Sequence, residues 1–220
     1  MIKKGLLYLL FISVLSACNH TENINLTPLQ KLEEGNSRFA SGKPVHPDET
    51  LERIRELKKG QHPFVAVVSC SDSRVPAELV FDQGLGDIFS IRTAGNVIGD
   101  YELGSIEYAV EHLDCKLIVV MGHKDCGAIK AFISSEGHYD HPDHIKNIIN
   151  YIEKENEEKS LKNTNNLTVD KAIDANITHG VAFLKTAEPI LKERFDHNKI
   201  AIIGALYDIE SGKVTFKNIK

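Results

Sequence analysis

The sequence predicts an α/β fold: a central, mostly parallel β-sheet of four parallel strands plus a short antiparallel edge strand, flanked by helices. Three observations predict it. Val65 to Val68 and Leu117 to Met121 are unbroken apolar runs, the signature of strands buried on both faces of a parallel sheet. Amphipathic stretches at helical spacing separate the runs, and strand–helix alternation builds a parallel sheet. Both runs are followed at once by polar, reactive side chains, and open α/β sheets bind ligands just beyond the carboxyl ends of their strands. With 220 residues, 42% of them hydrophobic, the chain can fill one domain with a substantial core.

The N-terminus reads separately. Lys3 and Lys4 precede an apolar stretch, Leu6 to Val14, too short to span a bilayer comfortably. Leu15-Ser16-Ala17-Cys18 follows. Residues 1–17 are therefore read as a secretory signal peptide. The small residues before Cys18 resemble the bacterial lipoprotein cleavage box, which implies lipidation of Cys18; multiple acyl chains anchor stably where one does not. An ordinary secretory signal with a chance cysteine is the alternative. The expected location is the periplasmic side of a bacterial membrane, held there only by lipid, with residues 18–27 as a tether and 28–220 as the folded domain. Loss of residues 1–17 removes two lysines and no acid, so a net charge of −5 becomes −7. The charge is spread out, with no basic stripe, so nucleic acid is not an expected partner.

Thr27-Pro28 supplies an N-cap and a first helical position. Leu29, Leu32, Asn36 and Phe39 continue the helix to Gly42. Asp48 is expected to cap a second helix carrying Leu51, Ile54 and Leu57. Both helices have narrow apolar stripes, suited to lying across another surface such as a partner subunit. The first core strand follows Gln61-His62-Pro63, and a short helix runs from Val75-Pro76 to Phe81. Ile88 to Arg92 is the second strand, and Thr93 to Asn96 turns over the same sheet edge. Leu103, Ile106, Val110 and Leu113 mark a crossover helix into the third strand, and Ala128 to Ile133 begins another. His138 to Asn166 is polar. Its three histidines, His138, His141 and His144, are read as a solvated helix start rather than a metal site, and the charged run Glu153 to Lys159 as a solvated face. Val169, Ile173, Ile177, Val181 and Leu184 mark a long helix that breaks near Thr186 and Pro189. Ile200 to Leu206 is the fourth strand, and Ser211-Gly212 turns the chain back antiparallel.

The chemistry gathers at two strand ends. Val65 to Arg74 ends in Cys70, Asp72 and Arg74; the third strand ends in Gly122-His123-Lys124-Asp125-Cys126-Gly127. Cys70, His123 and Cys126 make two thiolates and one imidazole, a common zinc set that leaves a fourth position open. An exported protein tends to pair its cysteines. With Cys18 lipidated and two cysteines on metal, only Cys115 is left, and it reads as a buried small apolar residue.

Cys70-Ser71-Asp72-Ser73-Arg74, Gly95-Asn96, Gly104-Ser105-Ile106-Glu107-Tyr108 and Gly122-His123-Lys124-Asp125-Cys126-Gly127 resemble the β-class carbonic anhydrases. The resemblance runs from about Leu29 to Phe216. It implies a zinc enzyme that reversibly hydrates carbon dioxide to bicarbonate and a proton by attack of zinc-bound hydroxide. Asp72 would accept the hydroxide's proton and Arg74 would hold Asp72 ionised. In some members the matching aspartate swings onto zinc at low pH, which would make Asp72 a fourth ligand in a closed state. Bicarbonate-regulated members use a tryptophan that this chain lacks. The resemblance also implies N-terminal helices packed on a partner, in a homodimer or homotetramer. In plant-like members a glutamine in the place of Gln61 reaches the neighbouring subunit's site and can bind substrate. The backbone N–H of Gly127 is either a bicarbonate contact at a helix start or part of a simple turn. Two thiolates donate more charge than two imidazoles, so a higher water pKa and activity rising on the alkaline side are expected.

Three other functions fit some of these features. A carbonyl sulfide or carbon disulfide hydrolase would share the ligands. A non-catalytic zinc-binding lipoprotein would have no use for Asp72 and Arg74. A nucleotide-binding domain would need G-x-G-x-x-G after a strand, and Gly84-Leu85-Gly86 lacks the third glycine.

Overall fold

The structure, a computed structural model, describes residues 26–135, 143–163 and 167–217. Five strands form one sheet: β1 (Val65–Cys70), β2 (Ile88–Thr93), β3 (Leu117–His123), β4 (Ala201–Tyr207) and β5 (Val214–Lys217). Their order is β2-β1-β3-β4-β5. The first four run parallel and β5 pairs antiparallel with β4, as the sequence predicts. Every residue of β1 and β3 is buried, so helices cover both faces and continuous apolar runs are tolerated where alternation would not be.

Side chains of one parity, Ala66, Val68, Ile118 and Val120, pack beneath α4 (Asp100–His112), α8 (Val169–Thr186) and α9 (Ile190–Asp196). The other parity, Val65, Val67, Leu117, Val119 and Met121, faces α1 (Pro28–Ala40) and α3 (Ala77–Val80). Each buried valine, leucine, isoleucine or methionine among these contributes roughly 1.5–3 kcal/mol. Capping of α1 follows the sequence: Thr27 and Gln30 form a capping box with Pro28 in the first turn. Asn36 of α1 is buried, donating to the carbonyls of Val80 (3.0 Å) and Gly212 (2.9 Å) and accepting from Val214 N–H (2.8 Å). That one amide ties the N-terminal arm to both α3 and the β4–β5 hairpin.

Some expectations are corrected. Thr50, not Asp48, caps α2 (Leu51–Leu57) by accepting from Arg53 N–H; Asp48 sits two residues before that cap in a left-handed turn. β1 and β3 run on through Cys70 and His123, because ladder pairing to β2 and β4 continues under the polar side chains. The helix after β3, α5 (Gly127–Ser134), begins one residue earlier than expected, with Cys126 as its N-cap. The charged run is not a solvated face. It spans the end of α6 (Ile145–Lys154) and α7 (Asn156–Asn163), and Glu155 and Glu158 are buried. Burial pushes their carboxyls up to about 9 and about 8, so they enter the interior by keeping their protons. His144 is exposed at the start of α6; His138 and His141 lie outside the described residues.

Candidate metal centre

The sheet register brings the two ligand-bearing strand ends together. Ser69 of β1 pairs with Met121 of β3, so Cys70 and the Gly122–His123 pair leave adjacent strands at the same edge. One turn later Cys126 returns to cap α5. A single ligand atom from each of Cys70, His123 and Cys126 lies within 4.8 Å of the other two, and all three residues are buried. Close packing of α8 under this edge depends on Gly122. A Cβ there would stand 2.7 Å from Ile177 Cγ1, so any larger residue would force the helix away from the strand end.

His123 is held in one tautomer. Its Nδ1 lies 2.9 Å from the Lys124 carbonyl oxygen, and a carbonyl only accepts, so Nδ1 carries the hydrogen. Nε2 therefore bears the lone pair, and it is buried with no hydrogen-bond partner. A buried, unpartnered acceptor is costly, and the orphan belongs to the same group as two free, buried thiols. A cation that accepts nitrogen and sulfur donors removes that cost. The donor set fits zinc, and an imidazole oriented by a carbonyl is the usual arrangement of a metal-bound histidine.

The sulfurs differ. Cys70 Sγ receives backbone N–H groups from Gly95 (3.3 Å, buried) and Asp72 (3.4 Å). The hydrogen bond from Cys126 pulls the Cys70 thiol down, against burial. The same bond and burial push Cys126 up. Of the coupled pair, Cys70 is thus the sulfur favoured as thiolate.

Asp72 and Arg74 form a two-pronged pair at the mouth. Arg74 donates from Nε to Asp72 Oδ1 (3.0 Å), from Nη2 to Oδ2 (2.8 Å) and from its backbone N–H to Oδ1 (2.9 Å). The Arg74 guanidinium holds the Asp72 carboxyl well below the usual carboxylate range. Two groups that the sequence did not signal support this loop. Arg92, at the end of β2, donates from Nε to the Cys70 carbonyl (3.2 Å) and from Nη2 to the Asp72 carbonyl (2.7 Å). Asp125, in a left-handed turn, places Oδ2 3.6 Å from Arg74 Nη1 and pairs with Lys130. A third, Asn176 of α8, donates to the Gly95 carbonyl.

The remaining expected site residues fall elsewhere. Gly127 is exposed in the first turn of α5 with open space around it. Gln61 is not brought to the cluster. It lies exposed beyond the opposite end of β1, and the strand alone separates it from Cys70 by roughly 17 Å. It lines an open cleft of about 450 Å³ with Lys58, Lys59, Tyr108 and Leu113. Cys18 lies outside the described residues.

A family model described as carbonic anhydrase matches residues 65–214. The chain is 37% identical over 189 residues to "Carbonic anhydrase 2" of Mycobacterium tuberculosis, covering 85% of this chain and 90% of that protein. It is 38% identical over 188 residues to a carbonic anhydrase of Mycolicibacterium smegmatis, with the same coverage of 85% and 90%. The solved β-carbonic anhydrase CcaA superposes with a TM-score of 0.69 at 28% identity, covering 86% of this chain and 94% of that one.

Proposed function

The chain belongs to the β-class carbonic anhydrases, and we propose that it interconverts carbon dioxide and bicarbonate with zinc held by Cys70, His123 and Cys126. The observation that carries this reading is the orphaned His123 Nε2 grouped with two buried thiols beside an Asp72–Arg74 pair. Bound there, zinc supplies the Lewis acidity that makes water a nucleophile near neutral pH. The protein's own groups do the rest. Asp72 stays ionised because Arg74 grips both of its oxygens. Oδ1 accepts two hydrogen bonds from Arg74 and Oδ2 only one, so Oδ2 keeps a lone pair that would accept a hydrogen bond from the nucleophile and fix which of the nucleophile's own lone pairs faces carbon dioxide. Arg92 holds the backbone on both sides of Ser71 and so sets the position of Asp72 relative to Cys70. The pair's rigidity argues against a site that only stores metal, since storage needs no oriented carboxylate.

Three further assignments belong to the same reading. Cys18 anchors the mature chain by lipid on the periplasmic side of a bacterial membrane; no helix among the described residues is long and apolar enough to cross one. The chain works as a homodimer or homotetramer, and Gln61 serves the neighbouring subunit's site, a role that its distance from its own cluster supports. Gly127 offers its N–H to bicarbonate at the start of α5.

The test is carbon dioxide hydration by the protein from Asn19 onward, followed by stopped-flow with a pH indicator from about pH 6.5 to 9, with zinc content measured in parallel. Fast, zinc-dependent turnover rising with pH is expected. One zinc per chain without turnover would replace this reading with a carbonyl sulfide or carbon disulfide hydrolase or a zinc-binding lipoprotein.

A further inference from the structure

The geometry points to Asn176 as a positioning residue that tunes the metal centre through the backbone of Gly95. The inference rests on the zinc reading above but concerns a residue that carries no ligand atom.

Asn176 lies on the inner face of α8 among Ala172, Ile173, Ala175, Ile177 and Gly180, all buried. A primary amide placed there is costly unless it makes its bonds. Its Nδ2 donates to the carbonyl of Gly95 at 2.8 Å, a buried bond across 81 positions of sequence. Gly95 has φ +68°, a conformation glycine adopts freely and most residues do not. The turn is confined on its other side too: a Cβ on Gly95 would lie 2.9 Å from Ala128 Cβ of α5. Fixing the Gly95 carbonyl restrains the orientation of the backbone at a glycine, where no side chain does so. The N–H of the same residue is the one that reaches Cys70 Sγ at 3.3 Å.

The chain of contacts is therefore Asn176 amide, the carbonyl on one side of the Gly95 Cα, the N–H on the other, and Cys70 sulfur, so Asn176 acts by holding the backbone orientation at Gly95. An N–H aimed at a thiolate draws charge from the sulfur. It offsets part of the electron donation that two thiolates make to a bound cation, and so raises that cation's Lewis acidity. It also holds the ligand in place before metal arrives. The affinity gain comes from that positioning of the ligand, and outer partners that orient a ligand are worth about 10–100-fold in metal affinity.

The experiment is competition for zinc between the purified protein and a chromophoric chelator, together with the thiolate-to-cobalt absorption of the cobalt-loaded protein. Asn176→Ala and Asn176→Leu both remove the donor, the alanine leaving space and the leucine keeping the branched shape with more bulk, so a packing failure in one does not decide the matter. Leu184→Ala, a core change lower on the same helix, reports general loss of stability. Both Asn176 variants are expected to bind zinc about 10–100-fold more weakly and to shift the thiolate-to-cobalt band to longer wavelength, because a sulfur without its N–H partner gives up charge more easily. Leu184→Ala should lower the melting temperature and leave affinity and band unchanged. Wild-type affinity and band position in both Asn176 variants would overturn the inference, as would an equal affinity loss in Leu184→Ala. A wild-type protein that binds neither metal would overturn the zinc reading, and this inference with it.

Discussion

Cys70 and Asp72 stand two residues apart and receive support from different directions. Cys70 is surrounded by backbone donors and buried, whereas Asp72 is held from the solvent side by Arg74. Substitutions should separate the two roles. Asp72→Asn preserves shape and leaves all three candidate ligands, so zinc content should remain at one per chain while turnover falls by about 10²–10³-fold, the range for losing one oriented polar group at a reaction centre. Cys126→Ser should instead lose zinc, measured by elemental analysis after dialysis, and lose activity as a consequence. The pH dependence has a definite sign. The Asp72 carboxyl is lowered by Arg74, so the pair's stabilisation is present above the ordinary carboxylate pKa and disappears only as pH falls through the lower, folded value. Asp72 therefore stays charged over the working range, and the rise of activity with pH should survive conservative changes at Arg74. The Cys70–His123–Cys126 group and the Asp72–Arg74 pair were legible because their chemistry is carried by residue type at short spacing. Arg92, Asp125 and Asn176 were not. Each acts on a segment that only the sheet register or helix packing brings near, and nothing in the local sequence records that.

At the scale of elements, apolar runs located β1, β3 and β4, a run broken by Ser90 located β2, and turn chemistry located β5. Their ends were less legible. The pattern stops where polar residues begin, but β1 and β3 continue pairing through Cys70 and His123. The largest departure is α7. A run of acids and lysines reads as solvated, yet docking on α8 turns Glu155 and Glu158 inward. None of their four carboxyl oxygens has a hydrogen-bond partner. Burial raises both carboxyls, with Glu158 and Glu157 adding to the shift at Glu155, and Lys162 opposing it at Glu158. The folded state thus binds protons more tightly than the unfolded chain. That stabilisation is complete below the unfolded pKa and is lost as pH rises towards the folded values of about 8 to 9. Glu155→Gln and Glu158→Gln should raise the melting temperature relative to wild type at pH 8.5 and change it little near pH 4.5. Equal shifts at both pH values would mean that the glutamates are not protonated in the fold. Hydrogen exchange in α7 should also quicken with pH beyond the intrinsic chemical rate in wild type, and less so in the double variant.

For the whole molecule, the described surface is unfinished on one side. Helix α2 buries none of its own residues. Leu51 is 71% exposed and Ile54 51%, and Leu79, Leu85, Tyr101 and Tyr108 are exposed as well. Apolar side chains scattered singly need no explanation, but a helix that buries none of its residues and exposes Leu51 and Ile54, with only Leu57 half-buried against Gly86, does. The N-terminal arm is not loose: Arg38 and the backbone of Val45 and His46 grip Asp82, and Arg53 reaches the Leu85 carbonyl. The arm is thus fixed in place with Leu51 and Ile54 presented to solvent, which suits a second copy of the chain. Gln61 follows immediately, too far from its own cluster to serve it. Assembly and activity should therefore fail together. Leu51→Glu with Ile54→Glu changes only exposed positions, so each subunit should keep its melting transition and its zinc. Light scattering should show a shift from dimer or tetramer towards monomer, and carbon dioxide hydration per zinc should fall by about an order of magnitude or more, as expected when a site loses a substrate-positioning group from its neighbour. A fully active monomer would place Gln61 outside the reaction and leave the site complete within one chain.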